Sequence, residues 1–321
     1  MDPKSLLLAA ETDGSSFWFP PQASNVAGEV DSLFYFILSL SAFFFVLIVG
    51  VMIIFVVWYR KRPGYVQEAS SDHNDPLEIT WSVIPALLTV FIFYRGFTGY
   101  LDMRTPPAES YEIKVIAKKW SWAFQYPNGW IDDALHVPIN QNVKLTMTSD
   151  DVIHSLFVPA FRTKMDVVPG RYTTLWFNAT QAGEFPLVCA EYCGTKHSDM
   201  LAKAVVHPAG EFDAWLVKAS DTSHLPPVEL GKMMYTKRGC LQCHSIDGTA
   251  KTGPSFKGTF GTKQSLADGS SVEVDENYIR ESILEPLKKV RAGFKPVMPS
   301  FKGQLKDHEI DGIIEFIKSL K

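Results

Sequence analysis

Two long apolar stretches dominate the hydropathy pattern of the N-terminal third of the chain. Residues 32–59 carry no charged side chain over 28 positions, and about 20 apolar residues are enough for a helix to cross a bilayer. A second apolar stretch covers residues 79–94 and extends to residue 101 if Arg95 is paired or reaches toward the bilayer surface. The pattern predicts a transmembrane hairpin of two helices.

The pattern changes to short alternating runs between residues 111 and 207. Apolar and polar side chains alternate over residues 111–116 and 142–148, and prolines, glycines and asparagines separate the runs. Alternation with a period of two is typical of a strand with one buried face. Several short strands in about 100 residues predict an antiparallel β-sandwich.

A third pattern follows a polar, proline-rich break at residues 220–228. Residues 229–238 and 308–320 have apolar side chains at helical spacing. We therefore expect a small all-α domain at the C-terminal end. The complete division is an N-terminal segment (1–30), a hairpin (31–104), a sandwich domain (105–219), a linker (220–228) and a helical domain (229–321).

Charge adds an orientation to this membrane-anchored, multidomain architecture. Arg60, Lys61 and Arg62 directly follow the first apolar stretch, and such a basic cluster usually stays on the cytoplasmic side. Both termini and both folded domains are then expected on the opposite, extracytoplasmic side. The formal net charge of −4 shows no basic excess, so nucleic acid is not an expected partner.

The first chemical cluster combines sulfur and imidazole ligands. Cys189, Cys193, His197 and Met200 lie within twelve residues, and His154 lies upstream. Zinc also accepts thiolate and imidazole, but a thioether favours copper. A mononuclear blue-copper site uses a single thiolate, whereas two thiolates four residues apart can bridge a pair of copper ions. The cluster therefore predicts a binuclear copper site.

The second cluster is the sequence Cys240-Leu-Gln-Cys243-His244, which is the pattern for covalent attachment of a c-type haem. His244 is the expected proximal iron ligand. The sixth ligand of such a haem is usually Met or His, and Met298 is the only methionine after the motif. His308 remains the alternative.

Either pair of cysteines could instead form a disulfide, because the chain contains four and an oxidising compartment would allow it. That interpretation leaves the nearby histidines and methionines without a role. We therefore favour the metal and haem interpretation of both pairs.

The copper cluster resembles the binuclear CuA centre in subunit II of the haem-copper oxidases. The resemblance covers residues 30–210, and the fused haem domain makes the chain similar to the caa3 type. It implies a cupredoxin-like sandwich in which both cysteines bridge both coppers. The ligands implied for this chain are His154, Cys189, the backbone carbonyl of Glu191, Cys193, His197 and Met200.

The resemblance also implies a further metal role for Glu191. In the family this side chain contributes to a magnesium or manganese site at the contact with subunit I, and a hard cation prefers oxygen ligands. The alternative is a loop carboxylate that ends in water.

An aromatic run beginning at Trp120 is similar to a tryptophan-rich segment of the family. The resemblance implies that Trp120 is exposed and accepts electrons from the donor cytochrome, or contacts the attached haem domain in a fused chain. Alternation places Trp120, Trp122, Phe124 and Tyr126 on one strand face. Packing in the sandwich core would require the same face, so this alternative stays open.

Glu78 matches the family's glutamate at the cytoplasmic opening of a proton pathway. Its position also fits a capping box in which Asp75 is the N-cap and Pro76 is the first helical residue. The two roles are compatible.

Together with these features, the resemblance implies the electron-input subunit of a bacterial terminal oxidase in the inner membrane. Electrons from a donor cytochrome c or a quinol-oxidising complex would pass through haem c and CuA to subunit I, with its haem a and CuB. There O2 would be reduced to water with proton pumping, and subunit III is a further expected partner. Alternatives are a CuA-containing nitric oxide reductase subunit and a membrane-tethered electron carrier.

Overall fold

The structure is a computed structural model that describes residues 15–64 and 73–321. Two long helices form its membrane anchor. Helix α1 comprises Ala27–Trp58 and helix α2 comprises Asp75–Arg104. Both are long and apolar enough to cross a membrane, and their apolar segments are not buried inside the protein. They contact each other through Phe36 and Phe91, whose ring centroids are 5.5 Å apart.

Helix α1 begins five residues before the predicted start of the apolar span. Its first turns include Asp31, which lies buried and accepts hydrogen bonds from the Arg162 guanidinium at 2.8 Å. The helix therefore begins before the uncharged stretch does, because Arg162 of the sandwich neutralises Asp31. The N-terminal part of the predicted segment 1–30, up to residue 14, lies outside the described residues.

The predicted sandwich is confirmed as two five-stranded sheets. The first has the order β3-β2-β1-β5-β8 and the second the order β4-β10-β9-β6-β7. Most neighbours are antiparallel, but β1 and β5 run parallel, as do β4 and β10. The strands are β1 (Tyr111–Lys118), β2 (Ser121–Gln125), β3 (Ile131–Asp132), β4 (Leu135–Pro138), β5 (Asn142–Ser149), β6 (His154–Val158), β7 (Thr163–Val167), β8 (Thr173–Asn178), β9 (Gly183–Cys189) and β10 (Leu201–His207).

Alternating side chains from both sheets fill the space between them. Strand β5 shows this most clearly, because Val143, Leu145 and Met147 are fully buried while the residues between them are partly exposed. The N-terminal segment lies along the same domain, since Ser24 Oγ donates a hydrogen bond to the Phe161 carbonyl at 2.8 Å. One end of the hairpin is thereby attached to the sandwich.

The C-terminal third is the predicted helical domain, with a short β-hairpin in addition. Helix α3 (Glu211–Ser220) follows the sandwich, and α4 (Pro227–Lys237) begins directly after Pro226. The remaining elements are β11 (Lys263–Ser265), β12 (Ser271–Glu273), α5 (Glu276–Leu284) and α6 (Asp307–Ser319).

Helices α4 and α6 cross at two glycines. A Cβ atom built on Gly231 would lie 1.9 Å from the carbonyl oxygen of Gly312. The crossing therefore requires glycine at position 231, and it holds the two ends of the domain sequence together.

Candidate metal centre and haem cleft

The copper-type ligands lie at one end of the second sheet. Strand β9 ends at Cys189 and β10 begins at Leu201, so the loop between two paired strands carries Cys193, His197 and Met200. Strand β6 begins at His154 and pairs with β9. Strand pairing therefore brings His154 to the loop although it lies 35 positions before Cys189.

The predicted ligands surround a pair of sulfur atoms. The Cys189 and Cys193 sulfurs are 3.8 Å apart, which is too far for a disulfide of about 2.05 Å. His154 Nδ1 lies 3.9 Å from the Cys189 sulfur, and His197 Nδ1 lies 3.5 Å from the Cys193 sulfur. The Met200 sulfur is 3.8 Å from that of Cys193. Two sulfurs flanked by separate imidazoles fit a pair of soft metal ions.

Glu191 meets this cluster through its backbone. Its carbonyl oxygen is 3.2 Å from the Cys189 sulfur, while its side chain is exposed. The carbonyl therefore lies within the cluster, and the carboxylate faces outward.

The two thiols differ in acidity. Burial raises the pKa of Cys189, but the hydrogen bond with the His154 ring and contacts with neighbouring backbone groups outweigh it and lower the pKa to about 6. Burial and the negative charge on Cys189 raise the pKa of Cys193 to about 12. One sulfur is therefore available as a thiolate near neutral pH, which is the form that binds metal.

Asp151 orients the His154 ring. His154 Nε2 donates to Asp151 Oδ1 at 2.9 Å, which leaves Nδ1 directed toward Cys189. The other carboxylate oxygen accepts from the Lys119 backbone N–H at 2.7 Å. This carboxylate thus connects the metal cluster to the β1–β2 turn.

Trp120 lies in that turn and is buried, contrary to the expected exposed position. Only 9% of the residue is accessible. Its indole covers the loop between β9 and β10 (residues 190–200), which we call the copper loop. A Cβ atom on Gly194 of this loop would lie 3.3 Å from the Trp120 ring. Gly194 has a φ of +118°, which L side chains rarely adopt, so both the backbone and the contact favour glycine. Trp122 is also buried, with its ring 6.1 Å from that of His154.

The haem-type motif lines an apolar cleft of the helical domain. Cys240, Cys243 and His244 lie on one part of its wall, and Met298 also lines it. The alternative ligand His308 is exposed at the start of α6 and does not line the cleft. The placement therefore favours Met298 over His308.

Local contacts orient the His244 ring. Its Nδ1 donates to the Pro254 carbonyl at 2.7 Å, and the ring stacks on Phe256 with centroids 4.6 Å apart. A Cβ atom on Gly253 would lie 2.7 Å from the ring. Burial lowers the pKa of His244, which favours the neutral imidazole that binds iron.

The charges around the cleft fit a dianionic porphyrin. Its lining includes six basic side chains and, among the described residues, no acidic one. Arg238 Nε is buried and has no hydrogen-bond partner in the described part of the chain. An apolar cleft with basic side chains in its lining suits haem c, whose propionates are negative. The basic residues are Lys118, Lys119, Arg238, Lys289, Arg291 and Lys295.

The sandwich closes one side of this cleft. Lys118 and Ser121 of the first sheet, and Lys119 of the turn between β1 and β2, line it together with the haem motif. A Cβ atom on Gly239, the residue before Cys240, would lie 2.9 Å from the Ser121 Cβ. Across the same interface, Lys196 of the copper loop donates to the Gln242 carbonyl at 2.5 Å.

Ion pairs also connect the two domains beside the cleft. Lys237 lies 2.7 Å from Asp132 and 2.9 Å from Asp133. Arg238 donates to the Ile131 carbonyl of the sandwich at 3.0 Å and is held by an ion pair with Glu309 of its own domain at 3.1 Å. Burial raises the pKa of Asp132, but the Lys237 ammonium outweighs it and keeps that pKa below its usual range. The haem domain is therefore docked on the sandwich.

Glu78 lies far from both centres, in the first turn of α2. The N-cap of this helix is Asn74, whose side chain accepts from the Leu77 N–H at 3.2 Å, so the predicted cap at Asp75 is wrong. Pro76 is consequently the second helical residue. Glu78 still completes a cap, because its carboxylate accepts from the Asn74 N–H at 3.2 Å.

The far end of α2 contacts the sandwich, where the Asp102 carbonyl accepts from Trp176 Nε1 at 2.9 Å. At 1.5 Å per residue, Glu78 and Asp102 are about 36 Å apart along the helix axis. Glu78 is therefore at the end of the hairpin away from the copper loop.

Sequence reasoning missed the roles of Lys118, Asp151 and Arg238. Asp151 stands three residues before His154, and Arg238 two residues before Cys240. For Asp151 and Arg238 this closeness to a ligand or motif could have drawn attention to them, whereas Lys118 and Arg238 contact Gln304 and Ile131, which are more than 100 positions away along the chain.

Comparisons with known proteins give consistent results for all three parts. Residues 13–98 match the transmembrane domain of cytochrome c oxidase subunit II, residues 129–207 match the periplasmic domain of that subunit, and residues 228–321 match cytochrome c.

Individual relatives carry the same description. Cytochrome c oxidase subunit 2 of Alkalihalophilus pseudofirmus is 31% identical over 300 residues, covering 89% of this chain and 86% of that protein. Cytochrome c oxidase subunit 2 of Thermostichus vulcanus is 31% identical over 262 residues, covering 62% and 80%. The solved periplasmic domain of subunit II of cytochrome oxidase from Bradyrhizobium japonicum is 32% identical, covering 36% of this chain and 96% of that one, with a TM-score of 0.34.

The fold and the two sites define a membrane-anchored electron-transfer protein with a copper-type sandwich domain and a haem c-type domain. The chain belongs to the cytochrome c oxidase subunit II family, in a form with a fused cytochrome c domain. It is accordingly a subunit of a haem-copper terminal oxidase, with subunit I as its implied partner.

Proposed function

We propose that this chain passes single electrons from an external donor through haem c to a binuclear CuA centre and then to subunit I. The observation that supports this order is the direct contact between the two sites. Lys196 of the copper loop is bonded to Gln242 inside the haem motif, and Ser121 packs on Gly239 next to Cys240. Electrons leaving the cleft need cross only this interface.

Bound haem and the bound copper pair would each accept and release one electron. The chain's own residues would hold and orient them: Cys240 and Cys243 would attach the haem, and His244 and Met298 would bind its iron. The six CuA ligands would be His154, Cys189, Glu191 through its carbonyl, Cys193, His197 and Met200. Cys189, Cys193, Met200 and His244 are buried, and shielding of the bound groups from water by such residues would limit the rearrangement that accompanies each electron transfer.

Trp120 is proposed to receive the electron on the copper side of the interface. It lies between the cleft-lining residues Lys119 and Ser121, and its ring packs on Gly194 of the copper loop. Because it is buried, its donor would be the attached haem and not a soluble protein. The external donor, a cytochrome c or a quinol-oxidising complex, would deliver electrons to the haem domain.

The remaining roles belong to the complete oxidase. Subunit I, with haem a and CuB, would reduce O2 to water and pump protons, and subunit III would complete the assembly. With Arg60, Lys61 and Arg62 in the cytoplasm, Glu78 would lie at the cytoplasmic opening of a proton pathway, and both redox domains would face the periplasm of a bacterial inner membrane. The outward-facing carboxylate of Glu191 would bind magnesium or manganese at the contact with subunit I.

The test is a combined metal and spectral analysis of the purified oxidase. We expect two coppers and one c-type haem per chain, a near-infrared band from the copper pair, and an additional a-type haem in the partner. Cys193→Ser should remove that band and reduce oxygen turnover by at least about 100-fold, while the haem remains reducible. Ser198→Ala, an exposed change in the same loop, is the control. One copper with an intense blue band would contradict the proposal, and a nitric oxide-reducing partner would favour the reductase alternative.

A further inference from the structure

Lys118 is a buried cation that the sandwich contributes to the haem cleft. The residue ends β1, is 3% exposed, and lines the cleft together with Cys240. Its side chain therefore extends from the sandwich to the surroundings of the haem motif.

The partners of Lys118 do not neutralise its charge directly. Its ammonium donates to the Gln304 side-chain oxygen at 3.1 Å and lies 3.5 Å from the centre of the Phe301 ring. Both groups are neutral. Two carboxylates act on the ammonium from farther away without forming an ion pair with it: Asp150, whose Oδ2 accepts from Gln304 Nε2 at 3.1 Å, and Asp151.

The other cations of the cleft are paired or less buried. Arg238 forms an ion pair with Glu309 at 3.1 Å, and Lys289 pairs with Glu281 at 2.6 Å. Lys119 and Arg291 are half-buried and Lys295 is exposed, so water screens them. Burial lowers the pKa of Lys118 to about 8, which still leaves the ammonium mostly protonated at neutral pH.

We propose that Lys118, a residue of the sandwich, is a positioning residue of the electron relay. Its fixed positive charge stabilises the reduced form of the haem that is docked against the sandwich. Reduction adds one electron to the haem iron, taking it from Fe(III) to Fe(II), without a proton. The electron comes from the external donor, and the site becomes one unit more negative. A nearby cation in a poorly solvated interface favours that state. The inference rests on the proposed function, because it assumes that the cleft holds haem c.

One consequence is that docking itself raises the reduction potential of the haem. Lys118 belongs to the sandwich, so it acts on the cleft only while the domains are in contact. The haem would then be easier to reduce in the docked state than in a separated one.

The test is a potentiometric titration of haem c in the complete oxidase carrying Lys118→Gln, which removes the charge and keeps a donor for Gln304. We expect the ratio of reduced to oxidised haem at a fixed ambient potential to fall about tenfold, equivalent to about 59 mV for one electron. The low-spin spectrum should be unchanged. Lys114→Gln, the same change at an exposed position of β1, should leave the ratio unchanged.

Gln304→Glu is the second variant, in case Lys118→Gln disturbs haem binding. It places a carboxylate beside the ammonium without altering Lys118, and we expect a shift in the same direction. A wild-type ratio in a haem-loaded Lys118→Gln or Gln304→Glu protein would overturn the proposal for Lys118. A wild-type chain without c-type haem would instead contradict the proposed function itself.

Discussion

At the scale of single residues, the metal cluster depends on an acid that is not itself a proposed ligand. Asp151 accepts from His154 Nε2 and thereby directs Nδ1 toward Cys189. Such partners set both the orientation and the basicity of a metal-bound imidazole.

We predict that Asp151→Asn lowers the affinity of the chain for copper by about 10- to 100-fold. Asparagine keeps an oxygen near the ring but loses the negative charge that favours the correct ring orientation. Copper competition with a chelator, followed through the near-infrared band, measures the change. Asp150→Asn is the matched control, because among the described residues no hydrogen bond or ion pair joins Asp150 to His154. Equal copper affinity in the two variants would show that Asp151 does not support the ligand.

Single residues also differ in how far the local sequence reveals their role in a site. The cysteines, histidines and methionines of both sites were recognised because their chemistry and short spacing are visible in the chain itself. Asp151 and Lys118 were not recognised, since an aspartate or a lysine acquires such a role only from the neighbours that folding provides.

At the scale of elements, the haem domain depends on the close crossing of α4 and α6. Gly231 and Gly312 allow the two backbones to approach more closely than side chains would permit. The helices belong to opposite ends of the domain sequence, so this contact closes the domain around the cleft.

We predict that Gly231→Ala destabilises the haem domain by about 3 kcal/mol or more, because the added methyl group would overlap the Gly312 carbonyl and the backbones would have to separate. Gly312→Ala should cost less, since its Cβ would meet its nearest atoms at 3.1 Å. Denaturant unfolding of the oxidase, followed through the haem spectrum, gives both values. The crossing would not be a tight contact if the order of the two variants were reversed.

Helix boundaries show the same limit of local reasoning. The apolar pattern located both membrane helices, but α1 begins earlier at Ala27 because Arg162 of the sandwich neutralises Asp31. The cap of α2 was misplaced by one residue, since Asn74 and Asp75 are both good capping residues and the backbone conformation decides between them.

At the scale of the whole molecule, ion pairs hold the haem domain against the sandwich. Lys237 bridges Asp132 and Asp133, and the Asp132 side chain is almost completely buried. Leaving such a carboxylate without its partner is unfavourable, because it is already removed from water.

We predict that Lys237→Met weakens docking by about 2 kcal/mol, or roughly 30-fold in the docking equilibrium. Faster proteolysis of the linker around residues 221–226, and slower electron transfer from haem to copper, would report the loss. Lys232→Met, an exposed change on the same helix, should leave both rates unchanged. Docking would have to rest on other contacts if Lys237→Met behaved like this control.

The sequence by itself determined the membrane hairpin, the strand-rich and helical domains, and the identity of the residues able to hold copper and haem. These features depend on hydropathy period and on ligand chemistry over short spans, which the chain shows without being folded. Only the tertiary structure decided that the two sites touch, that Trp120 is buried and that Lys118 reaches the haem cleft. The physical reason is that each of these depends on contacts between residues tens to hundreds of positions apart, which a local pattern does not specify.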